Sequence, residues 1–132
     1  MPLRIFVVDD HPVMLDAYLD VIAREPDLEP CGTAASGEEA MEVLTAPSPD
    51  PDCDLVVADY KMPGMNGAEL VRRLRAVRPR LVAVVVSAHE DEAFAREARA
   101  AGAAAFLRKR DLVETLVPTI RAVLDERRRD AA

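Results

Sequence analysis

Short apolar runs alternate with helix-like segments along this chain of 132 residues, and this alternation restricts its fold more than any other feature. Five runs predict strands, at Leu3–Val8, Leu28–Ala34, 55–59, Leu81–Ala88 and 103–107. Most are nearly continuous in apolar residues, which is typical of parallel strands covered by helices on both faces. Pro30 predicts an edge position for the second strand. Five strands cannot close an eight-stranded barrel, so right-handed crossovers predict one doubly wound α/β sheet with five helices.

The five intervening segments carry helical apolar stripes and helix-end signals. Pro12 suits the first turn of the first helix, and Ser36 with Glu39 predicts a capping box for the second. Gly102 predicts the end of the fourth helix, and Pro118 predicts a kink or a loosened turn in the fifth. The stripes consist of Met14, Tyr18, Val21 and Ile22 in the first helix, Leu70, Val71, Leu74 and Val77 in the third, and Leu112, Leu116, Ile120, Val123 and Leu124 in the fifth.

Composition narrows the classes of function. Half of the residues are hydrophobic and 31% are charged, which is typical of a single globular domain. The net charge of −7 argues against direct nucleic-acid binding by this domain.

No apolar run reaches the roughly 20 residues that span a bilayer, and the N-terminus lacks a signal-peptide pattern, so we expect a cytoplasmic protein that does not enter the membrane. Two cysteines make no disulfide framework, so we expect reduced thiols, with Cys31 in the core and Cys53 in a loop.

Chemically reactive side chains stand at the ends of four predicted strands. The first strand ends at Asp9 and Asp10, the third at Asp59, the fourth at Ser87 and the fifth at Lys109. Parallel α/β sheets bind their ligands at the carboxyl ends of their strands. We therefore expect three carboxylates, a hydroxyl and an ammonium group to meet at one edge of the sheet.

Carboxylates that crowd together repel one another, and a divalent cation relieves that repulsion. Carboxylates, a backbone carbonyl and water are ligands that suit Mg²⁺. A carboxylate can also attack phosphorus to form an aspartyl phosphate, while the cation and Lys109 neutralise the phosphoryl oxygens. The hydroxyl of Ser87 could hydrogen-bond to the same group. A glycine-rich phosphate loop of the Walker or Rossmann type is missing from the sequence.

Each of these residues also has an ordinary structural explanation. Asp9 and Asp10 could cap the first helix, and Asp59 could belong to a turn. Ser87 could be a hydroxyl in the core, and Lys109 could be a solvated cation. A role at the start of the first helix is favoured over metal ligation for His11. The joint occurrence of the other residues at the ends of four strands favours a functional site.

Four stretches, VVDDHPV, VVADYKMPGMNGAEL, VVVSA and AAAFLRK, resemble the receiver domain of two-component response regulators. DDHPV and CGTAASGEEAM are similar to the NarL/FixJ subgroup, and the resemblance covers essentially the whole chain. It implies a CheY-like (flavodoxin-like) sheet with strand order 2-1-3-4-5. It also implies a receiver domain over residues 1–127, followed by a charged tail or the start of a linker at 128–132.

The resemblance implies a magnesium site at the predicted acidic edge. Asp10 and Asp59 would bind Mg²⁺ directly, and Asp9 would bind it through water. The backbone carbonyl of Lys61 would complete the ligand set.

The resemblance also implies a phosphorylation switch. Asp59 would be the phosphoacceptor, and Lys109 would contact the phosphoryl group. Ser87 would move toward that group on activation, and Phe106 would be the switch aromatic that follows. Ala88 is small, as the family requires where the phosphoryl group must be approached.

A receiver of this kind accepts its phosphoryl group from a phosphohistidine on a sensor histidine kinase and then controls an effector or transcription. It catalyses only its own phosphoryl transfer and dephosphorylation, and is not otherwise an enzyme. We expect a possible homodimer through the face of the fourth helix, fifth strand and fifth helix, or through the first and fifth helices. We expect no direct contact with nucleic acid or membrane.

Two other functions remain open from the sequence. The chain could be a docking or dimerisation module that has the receiver fold and works without phosphorylation. It could also be a small Mg²⁺-dependent phosphatase with an aspartate nucleophile, but such an enzyme needs a second acid two residues later, where Lys61 stands.

The sequence departs from the family pattern in three places. Arg110 follows Lys109 where many receivers have a proline, so an easy cis-peptide position is missing. Pro118 lies within the fifth helix, and the proline-rich loop over residues 46–54 is longer than usual. NarL/FixJ regulators usually continue into a helix-turn-helix effector domain, which these residues do not contain, so the sequence describes either an excised or a stand-alone receiver.

Overall fold

The computed structural model describes residues 2–46, 53–88 and 92–131. Its strands are β1 Leu3–Val8, β2 Leu28–Ala34, β3 Leu55–Asp59, β4 Val82–Ser87 and β5 Ala105–Arg108. Its helices are α1 Pro12–Ala23, α2 Gly37–Leu44, α3 Gly67–Val77, α4 Glu92–Ala101 and α5 Leu112–Ala131, with a 3-10 turn at Lys109–Asp111. Most of the predicted proline-rich loop, at 47–52, lies outside the described residues.

All five strands form one parallel sheet in the order β2-β1-β3-β4-β5, which confirms the predicted fold and strand order. The central strands β3 and β4 are buried at every position, as expected for strands covered on both faces. The strand that contains Pro30 lies at the edge, where the missing N–H of proline breaks no ladder. The register between β1 and β2 shifts beside Pro30, so that Cys31 faces no partner residue.

Two apolar layers hold the helices on the sheet. Helices α1 and α5 cover one face, packing Tyr18, Ile22, Leu116 and Ile120 against Val57 and its neighbours. Helices α2, α3 and α4 cover the other face, and their buried residues are Ala40, Leu44, Ala68, Leu70, Val71, Leu74 and Ala98. Because full burial of one large aliphatic side chain contributes about 1.5–3 kcal/mol, these two layers fix the positions of the strand ends.

The predicted helix ends are largely confirmed. The Ser36 hydroxyl accepts a hydrogen bond from the Glu39 amide at the start of α2, and the Glu39 carboxylate accepts one from the Ala35 amide. In a capping box, the Glu39 carboxylate would accept from the amide of Ser36. Here it accepts from the amide of the preceding residue, Ala35. Gly102 ends α4 with φ +112°, a conformation that favours glycine.

The structure changes the expectations about three single residues. Val77, assigned to the buried stripe of α3, is 58% exposed and is the last residue of the helix. Cys53 lies in a loop as predicted but is buried in the core, whereas Cys31 is only half-buried and packs against the same core from the edge strand.

Helix α5 is continuous from Leu112 to Ala131 and includes Pro118 without interruption. All five residues predicted for its apolar stripe are buried. Residues 128–131, predicted as a tail, continue this helix, and the boundary at residue 127 stays a prediction. Within the described residues, no helix combines the length and apolarity required to cross a membrane.

Candidate functional site

The carboxyl edge of the sheet brings the reactive side chains together. Asp59 is the last residue of β3 and pairs with Val86, and Ser87 is the last residue of β4 and pairs with Arg108. Asp9 and Lys109 directly follow β1 and β5. A cavity of about 450 Å³ opens at this edge, and its lining includes Asp10, Asp59, Lys61, Ala88 and Lys109.

Lys109 joins two buried carboxylates at the base of the cavity. Its Nζ lies 3.0 Å from Asp9 Oδ2 and 3.2 Å from Asp59 Oδ2. Burial lowers the pKa of Lys109, but hydrogen bonds to Asp9 and Asp59 and the charges of both outweigh burial, so its pKa is raised. The ammonium group therefore stays charged and offsets part of the repulsion between the two acids.

The surroundings of Asp59 raise the pKa of its carboxyl group and so disfavour its ionised form. Burial is the largest cause that raises the pKa of its carboxyl group, and the charge of Asp9 adds to it. The charge of Lys109 acts in the opposite direction without reversing the shift. A second positive charge near Asp59 would therefore stabilise the ionised, nucleophilic form of this carboxylate.

His11 faces the acids, although the sequence predicts a role at the start of α1. It is the residue before the first turn, but its side chain makes no capping hydrogen bond. Its Nδ1 lies 2.9 Å from Asp9 Oδ1 and 3.2 Å from Asp10 Oδ1. The backbone N–H of His11 also donates to Asp9 Oδ1, so this oxygen is held from two directions.

The donor set fits a divalent cation. Asp9, Asp10, His11 and Asp59 each offer a ligand atom, and these atoms lie within 4.8 Å of one another. Asp9 Oδ2 and Asp10 Oδ1 are buried, with Lys109 Nζ 3.0 Å from the first and His11 Nδ1 3.2 Å from the second. Buried carboxylate oxygens in such a cluster are ligands that a hard cation such as Mg²⁺ prefers.

The turn after β3 fixes Asp59 against α3. The Gly67 amide donates a 2.7 Å hydrogen bond to the Tyr60 carbonyl. A Cβ at Gly67 would lie 2.5 Å from the Asp59 carbonyl oxygen, so only glycine permits this approach. Gly64 adopts φ +76°, and the Asn66 side chain accepts from the Glu69 amide to cap α3. This stretch places Lys61 at the cavity and holds the backbone of Asp59 in place.

Ser87 and Phe106 lie at different distances from the carboxyl edge of the sheet. Ser87 is completely buried at the end of β4, next to exposed Ala88 at the cavity. Phe106 is half-buried in β5, opposite Val85, and packs against the core on the α2–α4 side. Phe106 does not line the cavity, and one residue of β4, Val86, separates its partner Val85 from Ser87.

Two tyrosines near the site were not identified from the sequence. Tyr18 was assigned only to the apolar stripe of α1, yet it is a fully buried phenol close to the acids. Tyr60 stacks on Phe94 of α4 with ring centroids 4.2 Å apart, and its hydroxyl donates to Glu97. For Tyr18, the only signal in the sequence was a phenol at a core position of a helix, where its hydroxyl needs a hydrogen-bond partner.

Comparison with known proteins gives a consistent result. Residues 5–121 match the model of the response regulator receiver domain. The chain is 39% identical to the nitrate/nitrite response regulator NarL of Escherichia coli K12 over 93 residues, covering 69% of this chain and 41% of that protein. It is 33% identical to the probable transcriptional regulatory protein NarL of Mycobacterium tuberculosis over 122 residues, covering 92% and 53%. The chain thus spans about half the length of these two regulators.

Solved structures show the same relationship. The signal receiver domain of the putative response regulator NarL from Mycobacterium tuberculosis superposes with a TM-score of 0.81 at 29% identity, covering 96% of this chain and 97% of that one. A LuxR-family two-component response regulator from Aurantimonas superposes with a TM-score of 0.86 at 32% identity, covering 96% and 87%. The chain belongs to the family of response regulator receiver domains.

Proposed function

We propose that Asp59 accepts a phosphoryl group from the phosphohistidine of a sensor histidine kinase. The observation that supports this proposal most strongly is the position of Lys109, whose ammonium group lies between buried Asp9 and Asp59 at the open edge of the sheet. A cation held there beside a carboxylate with a raised pKa can receive the negative oxygens of a phosphoryl group.

In the proposed reaction, an oxygen of the Asp59 carboxylate attacks the phosphorus atom and forms a new P–O bond. The P–N bond of the donor breaks, and its electron pair stays on the imidazole nitrogen, which takes up a proton. Asp9, Asp10, Asp59 and the carbonyl of Lys61 would hold Mg²⁺, which supplies neutralising charge for the phosphoryl oxygens when bound. Lys109 contributes the second neutralising charge and keeps the acyl phosphate oriented.

The proposed switch begins with the charge and oxygens that the phosphoryl group adds beside Ser87. The Ser87 hydroxyl would turn toward these oxygens, and Phe106 would repack into the space that opens behind it. The face formed by α4, β5 and α5 would then change its fit to an effector or to a second receiver. Homodimers through this face, or through α1 and α5, stay predictions, as do the control of transcription and a location in the cytoplasm.

Beryllofluoride with Mg²⁺ tests this proposal, because it mimics a phosphoryl group on an aspartate. We expect amide NMR signals around Ser87, Lys109 and α4 to shift in the wild type and to stay unchanged in Asp59→Asn. Asp20→Asn is a matched control, since it makes the same chemical change at an exposed residue of α1. An equal response in Asp59→Asn would contradict the assignment of the phosphoacceptor. An absent response in the wild type would favour the docking-module alternative.

A further inference from the structure

A second cavity lies at the amino edge of the sheet, opposite the proposed phosphorylation site. Its lining includes Val82, the first residue of β4, Gly102 after α4, and Arg127 near the end of α5. Its volume is about 550 Å³, within the roughly 300–1,000 Å³ that is typical of sites for small molecules. The proposed function assigns no role to this cavity.

The charge of the cavity has the opposite sign to that of the chain. Arg75 of α3, Arg80 of the loop before β4, and Arg127 of α5 line it, together with a single acid, Glu126. The lining therefore carries more positive than negative charge, whereas the whole chain has a net charge of −7. A concave, positively charged lining concentrates anions from solution.

A neighbouring cavity extends the positive lining. It shares Arg80 and Arg127 with the first cavity and adds Arg78 and one acid, Asp54. Asp54 Oδ2 accepts a 2.8 Å hydrogen bond from the Arg4 amide, so this carboxylate is already engaged by the backbone of β1. The two cavities together present four guanidinium groups along the amino edge.

Two of these guanidinium groups are held in place. Arg75 Nη1 donates a 2.8 Å hydrogen bond to the Leu81 carbonyl, and Arg127 Nη1 donates one of 3.3 Å to the Asp54 carbonyl. A Cβ at Gly102 would lie 2.6 Å from both Cδ and Nε of Arg75, so this glycine leaves room for the arginine side chain. Each guanidinium has five N–H donors, so both keep donors for a ligand. Holding them in advance lowers the entropic cost of binding.

Arginines near helix C-termini can also serve the fold alone, because they bind carbonyl groups and complement the helix dipole. That explanation covers the bonds of Arg75 and Arg127 to carbonyls, but neither side chain forms an ion pair with a carboxylate of the described residues. It does not cover Arg80, which is exposed and makes no hydrogen bond or ion pair with any other residue that the structure describes. Three guanidinium groups around one cavity therefore lack an anionic partner.

We propose that this cavity binds a small organic phosphate of the nucleoside diphosphate class. Guanidinium groups match phosphate oxygens with paired N–H donors, and Arg75, Arg80 and Arg127 would supply them. The uncharged part of the ligand would pack on the apolar part of the lining, which includes Pro79 and Ala104. This inference does not rest on the proposed function, because it uses none of the residues at the carboxyl edge.

Amide NMR during a titration of the whole chain with ADP tests the proposal, in EDTA and at constant physiological ionic strength. EDTA removes divalent cations, so the phosphates of ADP cannot bind through a cation at the acidic edge. We expect saturable shifts for amides around the cavity, such as those of Val82, Gly102 and Arg127. Asp59→Asn should bind ADP like the wild type, so the two proposals can fail separately.

Arg80→Gln removes one charge from the cavity, and its side chain has no described partner to lose. We expect it to weaken ADP binding about tenfold, which corresponds to the loss of one hydrogen bond between charged groups. Arg73→Gln is the matched control, because it makes the same change on α3 at an exposed residue that pairs with Glu69 outside the cavity. Its Kd for ADP should stay at the wild-type value.

Pyrophosphate and adenosine separate the two parts of the ligand. We expect pyrophosphate to bind more weakly than ADP and adenosine to bind more weakly still. Equal Kd values for pyrophosphate and ADP would contradict an organic ligand, and adenosine that binds as tightly as ADP would contradict recognition of phosphate. Shifts that do not saturate, or an equal effect of Arg80→Gln and Arg73→Gln, would reduce the cavity to general charge attraction and overturn the proposal.

Discussion

The ammonium nitrogen of Lys109 lies 3.2 Å from Asp59 Oδ2, although the two residues are 50 positions apart in the chain. The parallel sheet produces this contact because β3 and β5 both end at the edge that β4 shares with them. Lys109 reaches past Ser87 to the acid that we propose as phosphoacceptor.

Replacing Lys109 with methionine removes the charge and keeps most of the volume. Asp9 and Asp59 then repel each other without compensation, and breaking a buried pair from one side costs about 3 kcal/mol. We expect lower stability in urea denaturation without Mg²⁺ and slower phosphorylation by acetyl phosphate. Lys109→Arg keeps the charge but not the compact ammonium group. We therefore expect it to lose less stability than phosphorylation rate, each relative to the wild type. Equal rates for the wild type and Lys109→Met would contradict the role of the ammonium group.

Asp59→Asn should stabilise the metal-free protein at neutral pH. The folded protein holds a proton on Asp59 more tightly than the unfolded chain does, because burial and Asp9 raise its pKa. Stability therefore falls as the pH rises from the ordinary carboxyl pKa through the raised value in the folded protein. We therefore expect Asp59→Asn to have a higher free energy of unfolding than the wild type at pH 7.

The same substitution should have little effect on stability at a pH below the ordinary carboxyl pKa, where Asp59 is neutral in both states. Urea denaturation at both pH values measures the difference, provided that the chain stays folded in acid. A gain from Asp59→Asn that is the same at both pH values would show that ionisation of Asp59 is not its cause.

Gly67→Ala should be costly, because the new Cβ would lie 2.5 Å from the Asp59 carbonyl oxygen and 2.9 Å from the Tyr60 Cα. Backbone atoms on a central strand cannot yield, so we expect a loss of about 2 kcal/mol in urea denaturation. Gly37→Ala is the comparison variant, since its Cβ would meet side-chain atoms of Met65, the sulfur at 2.9 Å and the Cβ at 3.0 Å, and no backbone atom closer than these. If Gly67→Ala costs no more than Gly37→Ala, the close approach of α3 to Asp59 is not required.

Tyr60 and Glu97 should be energetically coupled. Tyr60 follows Asp59 in the chain, and its side chain both stacks on Phe94 and donates to Glu97, so it joins the end of β3 to α4. A double-mutant cycle with Tyr60→Phe and Glu97→Gln should give a coupling of about 1 kcal/mol in urea denaturation, the net contribution of one partly exposed hydrogen bond. Additive effects of the two substitutions would mean that this hydrogen bond does not stabilise the position of α4.

The sequence predicted the strands and the side chains at their ends, because strand length and apolar continuity are local properties. The order of the strands came from the resemblance to receiver domains, because local patterns do not determine it. The contact of Lys109 with Asp9 and Asp59 followed from topology, since parallel strands bring their carboxyl ends to one edge. Tyr18 shows the limit of this approach. A helical stripe tells which side of α1 is buried, but not that the phenol ends beside carboxylates from two strands.

Val77 and the two cysteines show the same limit in the core. Val77 continues the periodic stripe of α3, but it is the last residue of the helix and is exposed. Cys53 lies in a segment rich in proline and aspartate, which predicts a loop, but the layer between α2, α3 and the sheet covers it. Burial at the ends of elements depends on neighbouring elements, which periodicity within one segment does not describe.

The central claim is that Asp59 is the phosphoacceptor, and intact-protein mass spectrometry after incubation with acetyl phosphate and Mg²⁺ tests it most directly. We predict one added phosphoryl group in the wild type, which hydroxylamine removes because an acyl phosphate is labile to that nucleophile. We predict no adduct in Asp59→Asn and a normal adduct in the exposed control Asp20→Asn. A wild-type protein that stays unmodified, or an Asp59→Asn protein that gains the same labile group, would contradict the account.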